Sequence, residues 1–213
     1  MPVTAQYLLE GCAYALEQCG ILLNDAGLLL KNGSPASAVT LAAFAREEMG
    51  KSRILFGLYE AVQKGEVVNE KDVLTKCGDH VQRQKHAQLS VVQHFSLESQ
   101  AGELIKIVFS AKADSGAYQR ARKALDALEE RQAKRTPQDR HNARMQALYV
   151  EPSGPTWNRP VHEITKEFAQ DFLIDAINDY MTFLQGHPDS ARNLALQAWS
   201  GCPSFPMPKL DFF

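Results

Sequence analysis

Apolar residues recur at helical spacing almost from the start of the chain. Between Ala5 and Lys31 they fall at Leu8, Leu9, Cys12, Ala15, Leu16, Cys19, Leu22, Leu23, Ala26, Leu29 and Leu30. That recurrence is the signature of an amphipathic helix, and no proline interrupts it. Asn32-Gly33 ends the run and Ser34-Pro35 restarts one, as N-cap and first helical residue. The N-terminus is therefore predicted to be an αα-hairpin. Its second helix, Ser34 to Lys64, carries two adjacent stripes, Leu41/Ala45/Leu55/Tyr59 and Phe44/Ile54/Leu58. A helix apolar around so much of its girth is expected to lie centrally.

The pattern stays helical downstream. Asn69, with Asp72 three residues on, starts a run whose apolar positions continue from Val73 to about Phe109, with Gly78 and Gly102 as places to bend or break. Ala111 to Ala117 is a small polar break, and Tyr118 to Lys134 reads as a charged helix with Ala121, Leu125 and Leu128 on one side. Thr136, Pro137 and Asp139 form a helix-start signal. A Pro-rich loop from Glu151 to Pro160 follows, then Thr165 caps a last long helix, Lys166 to Gln185, with Phe168, Phe172, Ala176, Ile177, Tyr180 and Leu184 on its buried side. Ser190 to Trp199 is expected to be a short helix and Gly201 to Phe213 an extended tail, free to stay loose, dock on its own bundle or add to a partner. No strand-like alternation, repeat or Gly-rich phosphate loop stands out, so the prediction is an all-α bundle over residues 1–188 with a short C-terminal extension over 189–213.

Composition narrows the function classes. With 213 residues, 45% of them hydrophobic and 23% charged, the chain can bury a real core. A net charge of −2 argues against gripping bulk nucleic acid by overall charge but allows a local basic site. From Lys112 to Arg144 the net charge is +4, whereas residues 1–30 hold three acids and no Lys or Arg. No apolar run reaches the ~18 residues of a membrane span, and the N-terminus lacks the basic start of a signal peptide. A cytoplasmic protein with reduced thiols is expected, since Cys12, Cys19, Cys77 and Cys202 show no metal-binding spacing. His80, His86 and His94 also miss the i, i+4 spacing of a helical metal pair, so no metal and no cofactor is expected.

The candidate chemistry gathers in Arg135 to Val150, which brings Arg135, Arg140, His141, Arg144 and Tyr149 together in a short basic helix beside a loop. Histidine near neutral pKa moves protons, and arginine holds charge on phosphate oxygens. A counterpart lies in the middle of the second helix, Arg46-Glu47-Glu48-Met49-Gly50-Lys51. Either those glutamates sit at the stripe's edges and reach water, or they are partly buried and must be paired or used. Gly50 suggests that another backbone or a ligand comes close. Glu47 and Lys51 have the spacing of an i, i+4 pair. His80 and Arg83 form a secondary cluster. Whether Arg135, His141, Arg144 and Glu47/Glu48/Lys51 converge on one open cleft is the spatial test of such a site.

Four segments carry a family resemblance: Leu23 to Leu30 (LNDAGLLL), Ala42 to Lys51 (AAFAREEMGK), Asp79-His80 with Arg83-Gln84, and Arg144 to Val150 (RMQALYV). Together they resemble the abortive-infection protein V (AbiV) family of the HEPN superfamily. The resemblance spans roughly residues 7 to 185. It implies an up-and-down helical bundle, usually a homodimer, in bacterial antiphage or toxin-like systems. Many relatives are metal-independent endoribonucleases that carry Arg, four to six residues, then His, at a dimer interface. Arg135 and His141 fit that spacing; Arg144 and Tyr149 lie nearer the expected position, with tyrosine in place of histidine. The resemblance implies His141 as general acid/base, Arg135, Arg140 and Arg144 on phosphate, and Tyr149 on phosphate or the 2′-hydroxyl. Glu47, Glu48 and Lys51 then orient the arginines or form an ionic network. A non-catalytic alternative is a helical protein that binds a phage or host protein and arrests translation. Nucleotide binding or transfer is a weaker third, since an acidic metal-binding motif is missing.

Overall fold

The computed structural model describes residues 1–87, 100–133, 136–186 and 205–206. Arg135, His94, Cys202 and the expected helix from Ser190 to Trp199 lie outside the described residues. Helices α1 (Ala5–Lys31) and α2 (Pro35–Gln63) form the expected hairpin. After them come α3 (Glu70–Gly78), α4 (His80–Ala87), α5 (Gln100–Ser110), α6 (Gly116–Ala133) and α7 (Pro137–Leu148). A two-stranded hairpin, β1 (Glu151–Ser153) with β2 (Thr156–Asn158), leads to the short α8 (Pro160–Glu163) and the long α9 (Lys166–Gly186).

The bundle is built around α2, which packs against α1, α3, α4, α7 and α9. Its two apolar stripes explain that placement, because Ala38, Val39, Ala42, Ala45, Met49, Leu55 and Leu58 are all buried. Leu8, Leu16 and Leu23 of α1 and Leu173, Tyr180 and Phe183 of α9 close the core from either side. The α5–α6 pair packs on itself.

Helix boundaries follow local chemistry. The predicted continuous run beyond Val73 breaks at Gly78, and Asp79 restarts it by accepting hydrogen bonds from the backbone N–H groups of Val81 and Gln82 at 2.8 and 3.1 Å. Ser34 stands at the start of α2 as expected, yet its side chain makes no capping bond; Pro35 supplies the stop for the preceding backbone instead. Thr165 does cap α9, accepting from the Phe168 N–H at 3.2 Å.

The α7 start is the best-formed cap. The Asp139 N–H donates to Thr136 Oγ1 at 3.1 Å, and the Thr136 N–H donates to Asp139 Oδ2 at 3.0 Å. The Thr136 hydroxyl, and after it the Thr136 backbone N–H, holds the Asp139 carboxyl below its ordinary value. The carboxylate's share of the cap is therefore present above the normal Asp range and lost as pH falls through the lowered pKa. Thr136→Ala is expected to destabilise the fold by about 1 kcal/mol, read as a shift in the urea midpoint at constant slope.

Two expectations need adjusting. The Pro-rich loop contains β1 and β2, three residues each, turned at Gly154 with φ 59°. Strands that short show no alternation to read, and the left-handed glycine is what reverses them. In the tail, Phe205 packs against the core and the Tyr180 hydroxyl donates to the Pro206 carbonyl at 3.1 Å. Of the three fates open to the tail, these two residues take docking on the bundle.

Candidate active site

Glu47 lies at the centre. It sits on the face of α2 turned toward α4 and α7 and is only 1% exposed. A buried carboxylate must be paired, and an imidazole and two guanidinium groups from two helices approach it. His80 Nδ1 is 2.7 Å from Oε2, Arg144 Nη1 is 3.2 Å from Oε1, and Arg83 Nη2 is 3.7 Å from Oε2. Arg144 also lies over the Phe44 ring, 5.4 Å from its centroid, a contact that favours a desolvated guanidinium.

Backbone proximity puts α4 there. Gly50 faces α4 so closely that a Cβ on it would stand 1.8 Å from the Arg83 carbonyl oxygen. Gln84, fully buried, donates from Nε2 to the Ala43 carbonyl at 3.0 Å and fixes α4 about two turns nearer the start of α2. The close approach anticipated at Gly50 is another backbone.

Three contacts at Nδ1 bear on the tautomer of His80. Nδ1 is 2.9 Å from Arg83 Nη2 and 3.1 Å from Arg144 Nη1, as well as 2.7 Å from Glu47. Guanidinium nitrogens only donate and carboxylate oxygens only accept. An unprotonated Nδ1 would set its lone pair against Glu47 at the shortest distance of the three. We place the hydrogen on Nδ1, donating to Glu47 across the shortest of the three contacts, with the two guanidinium groups serving the carboxylate. The ring's outer nitrogen, Nε2, then holds a lone pair on a side chain that is 45% exposed. A carboxylate orienting an imidazole whose far nitrogen is open is the arrangement of a general base.

His141 joins the group from α7. Arg144 Nη2 is 3.3 Å from its Nδ1, a long contact in which the guanidinium can only be the donor. One guanidinium thus lies between two imidazoles. Arg83 Nε and Arg144 Nε are buried without a hydrogen-bond partner, so the cluster holds donor capacity that the described protein groups do not use.

The remaining predicted residues divide. Lys51 pairs with Glu48 at 3.0 Å, not with Glu47, because an amine that is 37% exposed cannot follow a carboxylate drawn inward by His80, Arg83 and Arg144. Glu48 keeps a link to the cluster through Arg83 Nη1 at 3.6 Å. Arg140 turns toward Asp179, 3.8 Å away, where Arg46 also donates to the same carboxylate. Burial lowers the Arg140 guanidinium to about 10. Tyr149 is half exposed at the end of α7 and makes no described bond to Glu47, His80 or Arg144. Sequence reasoning passed over Asp179 and Arg46 as a pair. The signal for Asp179 was its register, seven residues after Phe172 and three after Ala176 on the face assigned to the core.

Among the described residues no group of three or more His, Cys, Asp or Glu is placed to hold a metal ion, and no helix is long and apolar enough to cross a membrane. A sequence model of the AbiV family matches residues 7–177. No curated protein and no solved structure matches the chain.

Proposed function

This chain belongs to the AbiV family of HEPN-type helical proteins, and from that premise we propose that it acts in abortive infection as an endoribonuclease working through His80. The observation that carries this reading is the 2.7 Å contact between His80 Nδ1 and buried Glu47, which turns Nε2 into a base. Nε2 takes the proton of an RNA 2′-hydroxyl, and the freed oxygen attacks the adjacent phosphorus. The bond to the 5′-oxygen breaks, that oxygen leaves with a proton from the imidazolium form of His141, which becomes neutral, and a 2′,3′-cyclic phosphate remains. Arg144 and Arg83 supply positive potential beside the charge that grows on the phosphate oxygens. Relative to the sequence-based assignment, His80 takes the base role, His141 becomes the proton donor, Arg140 leaves the phosphate-binding set, and Lys51 leaves the group that orients the arginines.

A second reading has its own support. Tyr7, Tyr14, Ile21 and Leu28 stand seven residues apart along α1 and are 50%, 51%, 40% and 50% exposed. A stripe at heptad spacing is a helix–helix seam, which suits a protein that binds a phage or host protein, or a second copy of itself. One experiment separates the readings. Purified protein incubated with RNA oligonucleotides in excess EDTA is expected to yield cyclic-phosphate ends. Intact RNA with and without divalent metal, together with a stable complex formed with a phage protein, would favour the interaction reading instead.

A further inference from the structure

A groove of about 710 Å³ runs between α1 and α3 over α2, and none of Glu47, His80, Arg83, His141 or Arg144 lines it. Buried Leu55 lies at its floor, Val73 and Leu74 line it from α3, and Tyr7 and Tyr14 line it from α1. Leu74 is 67% exposed and both tyrosines are half exposed. An open groove this apolar marks a place where another surface binds.

Its border is acidic. Glu10 lines it, and Glu17 and Asp25 continue along α1, with no Lys or Arg on that helix before Lys31. Elsewhere around the groove the charges offset: Lys51 pairs with Glu48 at 3.0 Å, and α3 matches Glu70 and Asp72 with Lys71 and Lys76. The acid excess of α1 therefore stands. Two α1 helices laid stripe to stripe would set carboxylate against carboxylate, which disfavours that pairing.

The complement is on the same chain. Helices α5 and α6 form an arm that packs mainly on itself. At its tip Phe109 is 87% exposed, so it does not occupy its own chain's groove. Lys112, Arg120 and Lys123 are exposed along the same arm. Arg122 is tied to Asp126 at 2.8 Å, which leaves Asp114 as the one other acid between Ile107 and Asp126 to set against those three cations. An aromatic anchor with basic flanks answers an apolar groove with an acidic border.

We infer that a second copy of this chain docks its α5–α6 arm in the α1/α3 groove, with Phe109 seated over Leu55 and the basic flank of the arm against Glu10 and Glu17. Each copy holds one arm and one groove. Two copies that exchange arms use both and close on themselves, whereas one-way docking would run on into a filament. This rests on the interaction reading above and names the partner as another copy of the chain.

The test is sedimentation velocity of the full chain, with thermal melts on the same samples to show that each variant folds. The parent is expected to be a dimer. Phe109→Asp and Leu74→Asp, both at exposed positions, are each expected to weaken it about 10²–10³-fold. An equimolar mixture of the two variants is expected to recover a dimer, because one intact arm then meets one intact groove. Glu10→Lys/Glu17→Lys is expected to weaken association about tenfold, and Lys112→Glu/Lys123→Glu added on the same chain to restore it. A dimer that withstands Phe109→Asp would overturn the inference, as would one lost with Phe109→Asp but not recovered on mixing. A dimer that Ile21→Asp breaks and Phe109→Asp spares also overturns it, since the stripe then meets itself. A monomeric parent that still binds a phage protein keeps the interaction reading and loses this one.

Discussion

Replacing His80 by alanine is expected to lower RNA cleavage about 10²–10⁴-fold, the contribution of a positioned proton acceptor, while leaving the melting temperature nearly unchanged. The two effects separate because the ring is 45% exposed and contributes little to the core. His141→Ala is expected to cost less, since water can deliver a proton to the leaving oxygen more easily than it can replace an oriented base. Glu47→Gln gives a third point. It keeps the shape but its amide oxygen is a weaker acceptor for the His80 Nδ1–H, and it removes the negative charge that Arg83 and Arg144 surround. Activity should therefore fall, and with it stability, because two guanidiniums are left without their shared counter-ion. Cleavage products and thermal melts measured on the same preparations check all three. Full activity in His80→Ala with none in His141→Ala would return the base role to α7.

Gly50→Ala is expected to destabilise the protein by about 3 kcal/mol or more and to abolish activity with it. The added Cβ would stand 1.8 Å from the Arg83 carbonyl oxygen, 2.7 Å from its carbonyl carbon and 3.0 Å from the Ala87 nitrogen. All three are backbone atoms, so no side chain can swing aside and α4 must move as a body. That motion withdraws His80, Arg83 and Gln84 together, since all three ride on α4. Gly57, on the same helix, is the internal control. Nothing lies within 4 Å of a Cβ there, and Gly57→Ala is expected to stabilise by about 0.5–1 kcal/mol through helix propensity alone. Urea denaturation of the two variants measures both signs. A Gly50→Ala protein as stable as its parent would mean that α4 does not press on α2 at that point.

Much of the scaffold was legible in the chain because it depends on local pattern. The 3.6-residue recurrence of apolar positions gives α1 and α2 their lengths, and Asn32-Gly33, Thr136-Pro137 and Thr165 set boundaries through backbone bonding within a few residues. The centrality of α2 also followed, since two apolar stripes on one helix leave it few ways to meet water. Gly50 signalled a close approach without saying whose.

The site was legible as a set of residue types and illegible as a set of partners. Glu47 had Lys51 available at i+4 and bonded instead to side chains 33 and 97 positions away in sequence. His141 and Arg140 are neighbours on α7, yet one turns to Arg144 and the other to Asp179. Helical periodicity places adjacent residues about 100° apart, and which of the two directions meets the cluster depends on the neighbouring helix. His80 looked secondary because nothing local marks it out. By itself the sequence determined an all-α bundle of the AbiV kind and the titratable residues it has to work with. Only the tertiary structure decided that α4 lies against Gly50, so that a buried carboxylate and an exposed imidazole meet. The physical reason is that burial and long-range pairing fix what a charged side chain does, and both are properties of packing.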